Sequence, residues 1–316
     1  MSIATCAFAQ NPAQNPPYPG GTVKIISPFA TGGIADTFAR VIAQQLSEVF
    51  HQPFVVENKT GGGGNIGADL VAKAAPNGYT LVMGSIGTHA VNQYLVKDMP
   101  YDPIRDFSPV AYVMNAEGLL VINPSVPANN VGELIELIRS QPGKFSFGSG
   151  GNGTSGHLAG ELFKAMAKVD MVHVPYKGNT LASNDLIGGQ TQAMFPGLAA
   201  AMPHIRSGRA RPLAVTGPMR HGLLKDIPTL EESGFKGFDA QQWYGVVGPA
   251  GLPADVLKTL SETLTLTLQA PDMAEKLAIE AIEPRPMSPE AFGKFIKADI
   301  ARWTQLAKER NIQLEG

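Results

Sequence analysis

The sequence predicts an α/β fold in two lobes, each lobe a mainly parallel sheet flanked by helices, with a cleft between them. Three observations carry this. Residues 23–84 read strand, glycine loop, helix, strand, loop, helix, strand, and residues 144–195 repeat that order without repeating the residues. Strands alternating with helices imply parallel sheets, and each such sheet gathers loops at the carboxyl ends of its strands. The 316 residues are enough for two domains, each of roughly 100–150 residues.

The first unit is Lys24 to Arg40. Val23–Ile26 is a short apolar run suited to a buried strand (22–27), Pro28 stops it, and Gly32-Gly33 permit a tight turn. From Ile34 the residues Phe38, Val41, Ile42 and Leu46 recur at helical spacing, giving a helix over 34–50. Strand, glycine turn and helix start together present backbone N–H groups and a positive dipole end to an anion. Strand 53–57, a glycine loop at 61–64, helix 65–75, the turn Pro76-Asn77-Gly78 and strand 79–84 follow. Ser85 to His89 forms the next loop, and two strands are expected at 108–114 and 118–123.

The order recurs past Val131, with helix 131–140, strand 144–148, loop 148–156, helix 157–168, strand 171–175, loop 176–180, helix 181–188 and strand 191–195. Strand 211–216 precedes 238–248, which reads as a strand returning to the first lobe. The tail is helical over 253–269, 271–280 and 289–310, with Ser288 as N-cap and Pro289 in the first turn. The chain thus divides into a leader and tether (1–19), a first lobe (20–122 with 238–316) and a second lobe (123–237).

Composition narrows the function. With 44% hydrophobic and 16% charged residues and a formal charge of −2, the chain reads as soluble and globular. It has no basic run for nucleic acid and no apolar window long enough to cross a membrane. Ala7-Phe8-Ala9 followed by a Pro-rich tether reads as the remnant of an export signal, with an ordinary disordered leader as the alternative. The charged start of such a signal is missing. Cys6, the only cysteine, lies in an imperfect lipidation site.

Motifs for chemistry are weak. Gly151-x-Gly153-x-x-Gly156 and Gly62-x-Gly64-x-x-Gly67 both match a dinucleotide fingerprint, yet the strand 171–175 lacks the acid that should end it. Gly153-Thr154-Ser155-Gly156-His157 misses the last glycine of a nucleophile elbow, and Ser155 and His157, two apart on a helix start, point apart. Thr154 and Ser155 suit either a plain N-cap or contact with an anion. The histidines at 51, 89, 157, 173, 204 and 221 show no close pairing, so neither metal nor cofactor is expected. Asp36 and Arg40 form a helix pair in which Asp36 fixes the turn; His89 is structural, and Trp243 and Tyr244 suit a core or a cleft wall. Loops rich in Gly, Ser and Thr without a nucleophile–base pair suit holding an anion without transforming it.

Longer blocks carry a resemblance. They are Pro28-Phe29-x-x-Gly32-Gly33-x-x-Asp36-x-x-Ala39-Arg40, Val56 to Gly67, Ala75 to Leu81, Val174-Pro175-Tyr176-Lys177-Gly178, Gly208 to Thr216 and Trp243 to Pro253. Together, in order from about Tyr18 to Ile312, they closely resemble the Bug family, the extracytoplasmic receptors of tripartite tricarboxylate transporters. The resemblance implies a type 2 periplasmic binding protein, without catalysis or cofactor, that closes on an organic acid and passes it to permease subunits. It implies contacts from Phe29, Ala30, Thr31, Gly32, Gly33, Ile34, Ser85 and Thr88 in the first lobe. In the second lobe it implies Gly151, Asn152, Gly153, Thr154, Ser155, His157, Tyr176, Lys177, Phe195 and Pro196. Many relatives carry an acid or amide where Pro196-Gly197 stands here, which favours a di- or tricarboxylate or an aromatic acid over an acidic amino acid. A monomer is the default of this architecture. Two competing readings are a hydrolase using Ser155 or Ser85 with His157 or His89, and a sensor docking on a membrane signalling protein.

Overall fold

The computed structural model describes residues 18–271, 273, 277 and 282–310. Strands β1 (Val23–Ser27), β2 (Phe54–Asn58) and β3 (Thr80–Ser85) alternate with helices α1 (Ile34–Phe50) and α2 (Asn65–Ala72), and β1 pairs in parallel with both neighbours. α1 buries Phe38, Ala39, Ile42, Ala43 and Leu46, the stripe that helical periodicity turns to one side. A π-turn (Gly87–Val91) and α3 (Asn92–Leu95) follow, and then β4 (Phe107–Ala116) crosses into β5 (Leu119–Ile122).

The second lobe continues with α4 (Val131–Ser140), β6 (Ser146–Ser149), α5 (Ser155–Ala167), β7 (Val172–Pro175), α6 (Asn179–Ile187), β8 (Ala193–Met194), α7 (Leu198–Arg206) and β9 (Arg211–Val215). β10 (Gln242–Pro249) returns to the first sheet, and α8 (Ala254–Gln269), β11 (Ile282–Met287) and α9 (Pro289–Arg310) complete it. The six-stranded sheet has the order β11-β4-β10-β3-β1-β2, and the five-stranded sheet β7-β6-β8-β5-β9.

Both sheets are mixed, which corrects the expectation of mainly parallel ones. β10 pairs antiparallel with β3 and β4, β11 with β4, and β5 with β8 and β9. The crossing explains this: β4 leaves the first sheet and β10 comes back beside it, so the two must run in opposite directions. β5 already belongs to the second sheet, so the chain changes sheet at Glu117-Gly118, ahead of residue 122. Gln241 Nε2 donates to Glu117 Oε1 there, tying one crossing to the other.

Two elements were not expected. α7 contains Pro203, which sequence patterning reads as a helix stop. β11 carries Pro284 and Pro286 and is tolerated because it is an edge strand. The expected helix 271–280 lies largely outside the described residues, as does the leader and tether up to residue 17.

One apolar cluster runs through both lobes, from Ile26 and Val82 to Phe147 and Phe163. Trp243 belongs to it and not to a cleft wall: it is buried, packs edge-on against Phe292 and Phe295, and its Nε1 donates to Asp299 Oδ2 at 2.8 Å.

Candidate functional site

The site begins with Asp36, buried in the first turn of α1. Its carboxylate accepts from Gly32 N (3.0 Å), Arg40 Nε (3.1 Å) and Nη2 (3.0 Å), and Asn58 Nδ2 (2.7 Å). Burial alone would raise its pKa; the bonds from Arg40, Gly32 and Asn58 outweigh that and hold the carboxyl below its usual range. Asn58 also donates to Phe29 O at 2.9 Å, so one carboxylate and one amide pin the loop 28–33 at both ends. Gly33 caps α1 with backbone only; no side chain bonds its first-turn N–H groups.

Ser85 and Thr88 sit at the end of β3. Thr88 Oγ1 accepts from Ser85 N at 3.0 Å and lies 2.8 Å from His89 Nδ1. His89 is fully buried, its pKa is pushed down to about 3 by that burial, and its neutral ring packs on Phe107. The Tyr101 hydroxyl lies 2.8 Å from Thr88 O and 2.9 Å from Asn65 Oδ1, and Asn92 Nδ2 donates to the same Asn65 oxygen at 2.8 Å. This buried chain fixes the π-turn.

In the second lobe Thr154 occupies the N-cap of α5, yet its hydroxyl donates backwards to Gly151 O at 2.7 Å, leaving this helix too without a side-chain cap. Gly153 N donates to His157 Nδ1 (3.0 Å) and Gly151 N to Ser149 Oγ (3.1 Å). Ser149 Oγ lies 2.7 Å from His173 Nε2, and the rings of His157 and His173 stack at 3.8 Å. Expecting no close histidine pair was therefore wrong: β7 brings His173 alongside α5, which spacing in the chain does not reveal. Burial, then His173 and Lys164, lower His157 to about 3; burial, then Lys164, lower His173 to about 4. Both are neutral and act as loop supports. Among the described residues no group of three or more His, Cys, Asp or Glu could hold a metal.

The glycine amides of 32, 33, 151 and 153 are thus spent inside their own loops, on Asp36, Ala30 O, Ser149 and His157. The first turns of α1 and α5 carry no side-chain cap. Neither serine of the hydrolase reading meets its histidine: Ser85 bonds Thr88, and Ser155 lies in the surroundings of the Tyr244 hydroxyl on β10, which itself donates to Gln242 Oε1 at 3.2 Å.

Contacts cross between the lobes in several places. Gly178 would bring a Cβ within 3.7 Å of Ala30 Cβ, joining the loop after β7 to that after β1. Ser155 of α5 interacts with the Tyr244 hydroxyl of β10. The Asn152-Gly153 turn meets Gly63, Gly87 and Asn92. Within the first lobe Phe29 and Thr88 converge on Gly64. Two expected residues stand back from this seam: Phe195 is core against Phe147 and Phe163, and the Tyr176 hydroxyl donates to Asp185 Oδ2 at 2.6 Å. Lys177 is exposed, and Pro196 is buried, its carbonyl accepting from Leu119 N at 3.0 Å. Asn92, Gly63 and Gly87, which the sequence does not single out, lie on this seam, and Tyr244 reads from the sequence as core or cleft wall. The strand alternation around Trp243 held one signal: if one of two neighbouring aromatics is core on one face, the other lies on the opposite face.

Comparison with known proteins gives a consistent result. The sequence model of the tripartite tricarboxylate transporter family receptor matches residues 38–312. Among solved structures the chain is similar to Rpa4515 of R. palustris with adipate, at 37% identity and TM-score 0.89, covering 94% of this chain and 99% of that one. It is similar to the periplasmic binding protein BugD, at 32% identity and TM-score 0.88, covering 94% and 100%. It is also similar to MatC (Rpa3494) of Rhodopseudomonas palustris with bound malate, at 30% identity and TM-score 0.87, covering 92% and 99%.

Proposed function

The chain belongs to the tripartite tricarboxylate transporter receptor family, and from that premise we propose that it captures a small dicarboxylate between its lobes and delivers it to the membrane subunits of such a transporter. The observation that carries this is the pair of helix starts, α1 from one lobe and α5 from the other, both without side-chain caps and each led by a loop that contacts the other lobe, Ala30 facing Gly178 and Asn152-Gly153 meeting Gly63, Gly87 and Asn92. Oriented N–H groups in a closing cleft stabilise a carboxylate without a formal cation. Two such starts, one in each lobe, suit two acid groups; adipate and malate, bound by two of its structural neighbours, each carry two.

In this reading Phe29 to Ile34 with Ser85 and Thr88 form one wall, and Gly151 to Ser155 with His157 the other. Tyr244 forms the floor. Pro196-Gly197, where a carboxylate or amide would partner an ammonium group, weighs against an acidic amino acid. The protein is exported by its N-terminal leader, acts as a monomer without a cofactor, and leaves the acid chemically unchanged.

Melting temperature against a panel of mono-, di- and tricarboxylates, aromatic acids and amino acids tests the proposal. A ligand at about 100 times its Kd adds about 2.7 kcal/mol of stability. A selective rise with dicarboxylates, and the acid recovered intact by mass spectrometry, is the expected result. Turnover of the acid, or a rise with amino acids alone, would overturn it.

A further inference from the structure

We infer that closure of the lobes comes to rest on a backbone seat, in which the Asn152-Gly153 turn of the second lobe lodges against Gly63, Gly87 and Asn92 of the first, and that Gly87 is a positioning residue for ligand capture. Its role in affinity rests on the carboxylate-receptor reading; the seat itself does not. A Cβ built on Gly63 would lie 2.6 Å from Asn152 O, and one on Gly87 would lie 2.6 Å from Gly153 O. A Cβ on Gly153 would lie 2.7 Å from Asn92 Oδ1. All three contacts join one lobe to the other, and two of them meet backbone, which cannot swing aside as a flexible side chain would.

Gly87 isolates the effect. Its φ lies outside the left-handed region, so alanine is compatible with its backbone, whereas Gly63 has φ 64° and would be strained by any side chain. Within its own lobe the nearest atom to a Gly87 Cβ is Ser85 Oγ at 3.6 Å, an ordinary contact. The added methyl therefore meets resistance only from the opposite lobe. Asn92, held by its bond to Asn65 and fully buried, forms the rigid side of the seat. The end point of closure is set by the chain, and the ligand must fit the space that remains.

Spin labels at Leu70→Cys on α2 and Leu181→Cys on α6, both exposed, in a Cys6→Ser background, read the distance between lobes. The distribution is measured for the parent and for Gly87→Ala, without ligand and with adipate or malate. Gly222→Ala, exposed and with nothing within 4 Å of its Cβ, serves as control. We expect the parent and control to sample a short-distance population that Gly87→Ala loses, with the melting temperature of the ligand-free protein unchanged. Apparent affinity for the stabilising acid should fall at least about tenfold, because the competent closed state is depopulated. A short-distance population identical in Gly87→Ala and parent, or no such population in the parent, overturns the seat. A melting temperature lowered by Gly87→Ala alone, without ligand, overturns it too, since the methyl would then clash within its own lobe. Failure of every acid to stabilise the parent removes the carboxylate reading, while the ligand-free distances still decide the seat.

Discussion

Asp36 is the residue on which the loop after β1 depends, because one carboxylate gathers a backbone amide, a guanidinium and an amide side chain. Asp36→Ala leaves Gly32 N and Asn58 Nδ2 without that acceptor. It should cost about 2 kcal/mol in urea unfolding, the upper part of the range being discounted because Arg40 is half exposed. A loss under about 0.5 kcal/mol, the usual scale of a surface substitution, would mean that the loop holds itself. The Asp36–Arg40 pair was legible in the sequence, since four-residue spacing on a helix is local geometry. The stacked His157 and His173 were not, because strand pairing between distant segments creates their contact. Those two and His89 have pKa values pushed down to about 3, about 4 and about 3, with burial the leading cause in each. The unfolded chain takes up their protons as pH falls below about 6.5, while the folded chain does not until near its own lowered values. Stability is therefore full above about pH 6.5 and falls towards pH 5, where carboxylates still contribute little. Each site adds a slope of up to about 1.4 kcal/mol per pH unit. Urea midpoints measured from pH 7.5 to 5 should show the fall, and His173→Gln should make it shallower. A flat profile over that window would show that these rings titrate normally.

At the scale of elements, β10 decides what belongs to the core and what belongs to the cleft. Trp243 and Tyr244 are adjacent and therefore on opposite faces: the indole packs under α9, and the phenol packs in the other apolar cluster of the first lobe, donates to Gln242 Oε1 and interacts with Ser155 of the other lobe. Trp243→Phe keeps most of the apolar contact but leaves Asp299 Oδ2 without its 2.8 Å donor. Calorimetry should show a loss of about 1–3 kcal/mol in stability with ligand affinity unchanged. A clear loss of affinity at preserved stability would return the indole to the cleft. Tyr244→Phe should do the reverse, weakening binding by about 1 kcal/mol in titration calorimetry while costing little stability, since a single hydroxyl is removed. The alternating elements up to β7 were legible because apolar period and glycine turns agree there. α7 and β11 were not: in both, prolines that read as stops sit where the fold tolerates them, inside a nine-residue helix and on a sheet edge.

For the whole molecule, the mixed sheets follow from a chain that leaves one lobe and returns to it, a property of topology that local pattern does not contain. The proposed site would inherit this arrangement, with one helix start from each lobe and the crossing strands as its floor. Glycine turns marked both walls in the sequence. The three-dimensional arrangement shows the glycine amides bonded within their own loops, which in the proposed reading leaves the donor role to the helix first turns. The consequence for binding is electrostatic. The chain carries 25 Lys and Arg against 27 Asp and Glu, so no net positive field draws an anion in. Partial charges at helix starts act over a turn or less and are sheltered inside a closed cleft, whereas steering by formal charges fades beyond a screening length of about 10 Å at 0.1 M salt. Affinity for the stabilising dicarboxylate should therefore change by less than about threefold between 50 and 500 mM salt, a range over which binding led by exposed charges weakens markedly. Titration calorimetry at matched pH reads this directly. A loss of tenfold or more across that range would mean that an exposed cation such as Lys177 or Arg40, and not the paired helix starts, holds the acid.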